Sequence, residues 1–166
     1  VNVGDEYEKV QYPNSNQREM VYLNTERLGT PIIKSFLAHE FVHLITFNQK
    51  ERVQGVTEDV WLNELRAEYA PTLLGYDTPY QDSNLKRRVQ NLAASPNDSL
   101  TEWQNTPGDY GVANLFGQYI ADQYGSRILV DSLHAGSVGI ASLQDAMLSN
   151  GFKESFSQLF TNWVFA

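Results

Sequence analysis

The stretch Ala38-His39-Glu40-Phe41-Val42-His43-Leu44 decides how this sequence is interpreted. On a helix, residues four positions apart lie on one face, so the imidazoles of His39 and His43 can point at one metal ion. Glu40 lies about 100° further round the helix than His39, beside that ion and in reach of a water molecule. The pattern His-Glu-x-x-His therefore predicts two metal ligands and a general base for hydrolysis.

Histidines buried in a core and bonded to backbone carbonyls are the alternative interpretation of this pair. That alternative leaves Glu40 unexplained, because an unpaired charge in a largely apolar helix is unfavourable. Thr30-Pro31 resembles a helix start, and we expect a mostly buried helix from about Pro31 to Asn48. Its apolar positions are Ile33, Phe36, Leu37, Phe41, Leu44, Ile45 and Phe47.

The composition limits the classes of partner and metal site. The chain has 166 residues, a net charge of −8 and no cysteine. The negative charge disfavours nucleic acid and anionic membranes as partners, and the missing thiols exclude a thiolate zinc site. No apolar run approaches the ~20 residues of a membrane span. Because the chain begins at Val1, we expect a processed fragment of a longer precursor, secreted from the cell.

The rest of the chain is expected to be mainly helical. Residues 1–19 are polar and turn-rich, Met20–Asn24 resembles a strand, and residues 49–57 are expected to be a loop. A second helix begins near Thr57 or Glu58, kinks or breaks near Ala70 because of Pro71, and ends at Gly75. Further helices are predicted at 84–93, 110–124, 126–133, 140–149 and 155–164.

A catalytic zinc usually has three protein ligands, so a third must follow the histidines. Glu64 is the best candidate, because it lies mid-helix among apolar neighbours where a free carboxylate is unfavourable. Glu68, one turn further on, is suited to accept the second N–H of a metal-bound histidine, most plausibly His39. The alternative for both is a solvated helix stripe. The other candidates are Glu58 and Asp59, which also suit a helix N-terminus, and His134.

With Trp61-Leu62-Asn63-Glu64 and Ala67-Glu68-Tyr69 added, the sequence resembles the gluzincin zinc metallopeptidases. Asp109-Tyr110-Gly111 extends the similarity to the hyicolysin-like peptidases, over roughly residues 18–166. The resemblance implies that Glu64 is the third ligand and Asn63 and Glu68 are its supporting neighbours. The loop between the two motifs is slightly longer here than is usual in that family.

The resemblance also implies a fold for residues 1–166 as one catalytic domain. We expect an α+β, predominantly helical, zincin-like metallopeptidase fold with an upper β-sheet, a central active-site helix and a helical lower half. Only about 30 residues precede the motif helix, so the sheet is expected to be small or truncated.

The implied activity is hydrolysis of protein or peptide substrates through a zinc-activated water, with Glu40 as general base. Tyr110 is the first candidate to stabilise the oxyanion and His134 the second, although Tyr110 also suits a core aromatic and His134 a surface loop. The Gly-x-Met-Glu-Asn segment of related aminopeptidases is missing, which favours an endopeptidase.

Two alternatives remain open at this stage, a catalytically silent zinc-binding module and an aminopeptidase. The Asp- and Asn-containing loops at 77–84 and 97–109 are weak candidates for calcium binding, because they lack the twelve-residue calcium-loop pattern.

Overall fold

The computed structural model describes Pro13 and residues 20–166, and over this range the chain is built from helices. Seven α-helices follow one another: α1 Ile32–Thr46, α2 Val60–Leu73, α3 Asn84–Ala94, α4 Pro107–Tyr124, α5 Arg127–His134, α6 Gly139–Ser149 and α7 Phe156–Val164. Short 3₁₀ turns span Thr25–Arg27 and Tyr80–Asp82. None of these described helices combines the length and apolar character that a membrane crossing requires.

The core lies between α2 and α4, with α5, α6 and α7 closing it from the far side. Helix α2 packs against α1 on one flank and α4 on the other, and α3 packs against α4. The fully buried side chains that fill this space share an apolar character: Leu62, Leu65, Phe116, Ile120, Ile128 and Leu143. Because Leu62 and Leu65 fix the rotation of α2, its Asn63–Glu64 edge is turned towards α1.

The expected strand at Met20–Asn24 is absent from the described chain. Met20 forms an isolated bridge, residues 21–24 have no regular structure, and a 3₁₀ turn follows. The described part of the chain therefore shows a helical domain without the expected upper sheet. The prediction of irregular structure for residues 1–19 lies outside the described residues, Pro13 excepted, which is in a turn.

Helix α1 differs from its prediction in three ways. The hydroxyl of Thr30 donates to the carbonyl of Arg27 (2.6 Å) and does not cap the helix. The helix continues as a π-helical segment, Phe47–Val53, where a loop was expected from residue 49. Its side chains are also less buried than expected, because Leu37, Phe41 and Ile45 are 46%, 55% and 37% exposed along one stripe.

Helix α2 runs through Pro71 and does not break near Ala70. Proline removes one backbone hydrogen bond from a helix, at about 3 kcal/mol. Here Pro71 is buried near the end of the helix, which two hydrogen bonds close: Tyr76 N–H donates to the Pro71 carbonyl, and Gly75 N–H to that of Thr72. Gly75 takes a positive φ of 74°, so the predicted cap is present.

Helix α4 begins three residues earlier than expected. Pro107, Gly108 and Asp109 form its first turn, ahead of the predicted start at Tyr110. Thr106 caps the helix by accepting from Asp109 N–H, and Asp109 accepts in return from Thr106 N–H (2.6 Å). Proline suits the first helical position because its missing N–H would have no partner there.

Candidate metal centre

Three side chains from α1 and α2 converge on one point. The Nε2 atoms of His39 and His43 lie 3.0 Å apart. Glu64 Oε2 lies 3.3 Å from His39 Nε2, and Glu64 Oε1 lies 3.6 Å from His43 Nε2. One donor atom from each residue lies within 4.8 Å of the other two, a spacing that could hold a metal ion. The structure thus brings together the three residues that the sequence suggested as ligands.

The second ring nitrogen of each histidine has its own hydrogen-bond acceptor. His39 Nδ1 lies 3.1 Å from Glu68 Oε1, and His43 Nδ1 lies 3.0 Å from Asn63 Oδ1. An acceptor at Nδ1 selects the tautomer with its proton on Nδ1, which turns the Nε2 lone pair towards the centre. Glu68 and Asn63 therefore hold both imidazoles with their Nε2 atoms towards the same point.

Glu68 is itself held by a buried set of donors. Arg88, on α3, donates to both carboxylate oxygens (2.6 Å each), and Asn84 Nδ2 donates to Oε2 (2.9 Å). Burial alone raises the pKa of Glu68, but hydrogen bonds from His39 and Arg88 outweigh it and lower the pKa to about 2. Asn114, on α4, fixes the Glu68 backbone by donating to its carbonyl (2.9 Å).

The electrostatics of the centre favour a cation. Burial lowers the pKa of His39, but the carboxylates of Glu64 and Glu68 outweigh this effect and raise it to about 9. Glu64 Oε2 is buried without a hydrogen bond of good geometry, although His39 Nε2 lies 3.3 Å away. Two imidazole nitrogens and one carboxylate suit zinc. The residues present therefore fit a zinc ion.

A cavity of about 450 Å³ opens beside the three donors, and both Glu40 and Tyr110 line it. The Tyr110 hydroxyl donates to Asn105 Oδ1 (2.9 Å), and its ring meets the edge of Trp103 with centroids 4.9 Å apart. Burial, followed by the negative charge of Glu64, raises the pKa of Tyr110. The hydroxyl therefore stays protonated near neutral pH and can donate a hydrogen bond.

His134 lies elsewhere. It lines a separate, largely apolar cavity of about 310 Å³ between α1, α2 and α5, together with Val42, Leu73 and Leu129. The structure does not bring His134 into the group formed by His39, His43 and Glu64.

Glu58 does not lie in the first turn of α2, where an acidic side chain would suit the helix dipole. It precedes the helix and lies in a buried ion cluster. Its carboxylate accepts from Arg66 (2.8 Å) and from Gly139 N–H (2.7 Å), and Lys50 Nζ lies 3.5 Å away. Asp59 is the N-cap residue of α2. Neither residue belongs to the group of metal donors.

Two carboxylates of the suggested calcium loops are engaged locally. Asp77 accepts from Thr72 Oγ1 and Leu85 N–H, and Asp109 forms the capping box of α4. Within the described residues, neither loop contributes to a group of three potential metal ligands.

Sequence reasoning did not identify Asn84 and Arg88 as supports of the centre. A signal was present, because the two residues are four positions apart and so share one face of α3. Lys50 gave no such signal, since it lies in the segment expected to be a loop.

The comparisons with known proteins agree with this geometry. The chain is 27% identical over 174 residues to the neutral metalloprotease ShpI of Staphylococcus hyicus. The alignment covers 91% of this chain, which spans 38% of the relative's length. No protein-family model and no solved structure matches the chain. The chain is therefore similar to a metalloprotease over most of its length and carries a His-His-Glu cluster that could hold a metal ion.

Proposed function

We propose that this chain carries the catalytic domain of a zinc-dependent endopeptidase that acts on proteins or peptides. The observation that carries the proposal is the convergence of His39 Nε2, His43 Nε2 and the Glu64 carboxylate within 4.8 Å. The acceptors at both Nδ1 atoms add to it, because they leave both Nε2 atoms facing the same point. Action outside the cell remains a prediction from the sequence.

In this proposal His39, His43 and Glu64 hold the zinc ion, with Glu68 and Asn63 fixing the rings. A bound zinc ion would supply Lewis acidity, lowering the pKa of a water molecule and polarising the peptide carbonyl. A site with three protein ligands leaves a position for water or substrate, as catalytic zinc sites do.

Glu40 is proposed to transfer a proton from the attacking water to the leaving amine. It follows His39 on α1 and lines the cavity beside the three donors. Its carboxylate accepts a proton from the attacking water and donates it to the leaving amine nitrogen. The presence of a carboxylate at this position favours catalysis over a silent zinc-binding module, since a purely structural site requires no general base.

Tyr110 is proposed to stabilise the oxyanion. Its hydroxyl is protonated near neutral pH and lines the same cavity as Glu40. To donate to a substrate oxygen, it exchanges its hydrogen bond to Asn105 for one to the substrate. His134, the other candidate, lines a different cavity, so the proposal gives it no role in this step.

Peptide hydrolysis by the zinc-loaded protein tests the proposal. We expect cleavage of casein and of internally quenched peptides whose amino terminus is blocked, loss of cleavage with a chelator, and its return with zinc. Cleavage restricted to peptides with a free amino terminus would indicate an aminopeptidase. No cleavage of any peptide by protein with one bound zinc per chain would indicate a silent binding module.

A further inference from the structure

A second, smaller cavity of about 180 Å³ lies against the metal centre on the α3 side. It is shared with the centre, because His39, Glu40 and Tyr110 line both cavities. Its other lining residues come from α1, α2 and α3: Ser35, Phe36, Glu68, Asn84, Arg87 and Arg88. A substrate bound at the metal centre can therefore place one of its groups in this cavity.

Arg87 is the charged group of this cavity that has no ion-pair partner among the described residues. Arg88 pairs with the carboxylate of Glu68, whereas no described carboxylate forms an ion pair with Arg87. Its Nη2 donates to Asn84 Oδ1 (2.6 Å), and its Nε is buried without an acceptor. A buried donor without an acceptor is unfavourable, and a guanidinium is suited to bind a carboxylate.

The guanidinium of Arg87 is held in a fixed orientation. Its Cζ lies over the ring of Phe36, on α1, at 5.6 Å from the ring centroid. Asn84 accepts from Arg87 through Oδ1 and donates to Glu68 through Nδ2, so both ends of its amide are engaged. Such orientation reduces the loss of side-chain freedom on binding.

Positive charge accumulates around this cavity, in a chain with 12 basic and 20 acidic residues. Burial lowers the pKa of Arg87, and the neighbouring charges of Arg88 and Arg27 lower it further, while Glu68 acts in the opposite sense. The remaining carboxylate in the cavity is Glu40, on the side of the metal donors. An anion at the Arg87 side would relieve the repulsion among the arginines.

We propose that this cavity binds a carboxylate of the substrate, and that Arg87 is the residue that determines this specificity. The inference rests on the proposed peptidase function and names its substrate class: peptides with a carboxylate close to the cleaved bond. In an endopeptidase this carboxylate belongs to an acidic side chain, and recognition of a free carboxyl terminus there would instead indicate a carboxypeptidase. Arg87 recognises the substrate and takes no part in the proton transfers assigned to Glu40.

Cleavage kinetics of the zinc-loaded protein give the first test. Matched peptides carry Glu or Gln at each position flanking the cleaved bond, each with a free or an amidated carboxyl terminus. We expect kcat/KM to favour the carboxylate by about tenfold or more at one position, as charge-assisted hydrogen bonds allow. Arg87→Gln should abolish the preference, and Arg87→Lys should retain part of it.

Arg127→Gln is the matched control, because Arg127 is exposed on α5 and pairs with Asp131 there. This variant should keep the preference unchanged. If kcat/KM depends on the free carboxyl terminus and not on Glu against Gln, the result supports carboxylate binding in the cavity. It then identifies the ligand as a terminal carboxylate. No preference in the parent protein, or an unchanged preference in Arg87→Gln, overturns the proposal.

Direct binding separates this inference from the peptidase function. Nuclear magnetic resonance titrations of the zinc-loaded protein use N-acetylglutamate α-amide, N-acetylglutamine and N-acetylglutamine amide. These probes carry a side-chain carboxylate, a terminal carboxylate and no carboxylate. We expect one acidic probe to bind at least tenfold more tightly than the neutral one, with the difference lost in Arg87→Gln. If the protein cleaves no peptide, these titrations alone test the carboxylate site. Equal binding of all three probes overturns it.

Discussion

Glu68 Oε1 lies 3.1 Å from His39 Nδ1, across the interface between α1 and α2. Glu68 is 1% exposed and also binds Arg88 of α3 through both carboxylate oxygens. One buried carboxylate therefore joins three helices and orients an imidazole of the metal centre. We therefore expect the stability of the helix packing and the affinity for metal to be coupled through this side chain.

Replacing Glu68 should weaken metal binding without removing a metal ligand. In Glu68→Gln the neutral amide accepts more weakly from His39, so we expect zinc affinity to fall about 10- to 100-fold. Competition with a chromogenic chelator measures this affinity. Glu102→Gln, an exposed substitution, serves as the control. Equal zinc affinity in Glu68→Gln and the parent protein would contradict the role given to Glu68.

Removing Glu64 should remove the metal itself. Glu64→Ala deletes the carboxylate that lies within 3.3 and 3.6 Å of the two imidazoles, leaving two ligands. We expect less than one tenth of the parent protein's zinc content by elemental analysis after dialysis, whereas Asp122→Ala, at an exposed site, should keep its zinc. Unchanged zinc in Glu64→Ala would reassign the third ligand to another group.

Replacing Glu40 should separate catalysis from metal binding. Glu40→Gln keeps the side-chain shape but cannot accept a proton, so we expect activity to fall by about 10²–10⁴-fold. Zinc content and the thermal unfolding midpoint should stay close to those of the parent protein. The comparison uses initial rates on a quenched peptide, and full activity in Glu40→Gln would exclude Glu40 as the general base.

The sequence allowed the helices and the donors to be anticipated because both depend on local spacing. Two histidines four positions apart must share a helix face, and Glu64 is flanked by residues that the core requires to be buried. Most helix ends also agree within one residue, because capping residues such as Ser83 and Ser155 are local signals.

Long-range contacts could not be anticipated in the same way. Arg88 reaches Glu68 only because α3 packs on α4 beside the centre, and no local pattern specifies that packing. The same holds for Lys50, whose partners lie more than 80 residues further along the chain. The strand expected at Met20–Asn24 is not formed, and no strand lies beside it within residues 20–166. Apolar and β-branched residues favour a strand only when a neighbouring strand pairs with them.

Lys50 links the π-helical segment after α1 to the connection between α5 and α6. Its ammonium is fully buried and donates to the carbonyls of Ser132 (2.9 Å), Ala135 (2.7 Å) and Ser137 (2.8 Å). All three protons of the ammonium therefore have acceptors, and Glu58 balances its charge at 3.5 Å.

Substitution of Lys50 should destabilise the fold strongly. Lys50→Met fills a similar volume but removes the ammonium that donates to three carbonyls, of which that of Ser132 keeps a second donor in Ser142 Oγ. It also weakens the balance of charge at Glu58. We expect a loss of about 3–5 kcal/mol in the free energy of unfolding, measured by urea titration. Lys34→Met, on the exposed face of α1, should change it by less than about 0.5 kcal/mol. A small loss in Lys50→Met would show that the carbonyls find water instead.

The position of α3, and with it of Arg88 and Asn84, depends on the close approach of α4 at Gly111. A Cβ atom at Gly111 would lie 2.6 Å from the backbone nitrogen of Leu92 and 3.1 Å from the carbonyl oxygen of Arg88. Backbone atoms cannot rotate away as side chains can, so Gly111→Ala must displace α3. We expect a loss of about 1–3 kcal/mol in the free energy of unfolding, together with weaker zinc binding.

A series of glycine substitutions tests this explanation. At Gly117 the nearest atom to an added Cβ is the Leu65 side chain at 3.2 Å, and at Gly136 no atom lies within 4 Å. Destabilisation in urea titrations should therefore rank Gly111→Ala above Gly117→Ala, with Gly136→Ala close to the parent protein. Only Gly111→Ala should also lower zinc affinity, because only that site moves the helix that carries Arg88. Equal zinc affinity in all three variants would show that Glu68 holds His39 without help from α3.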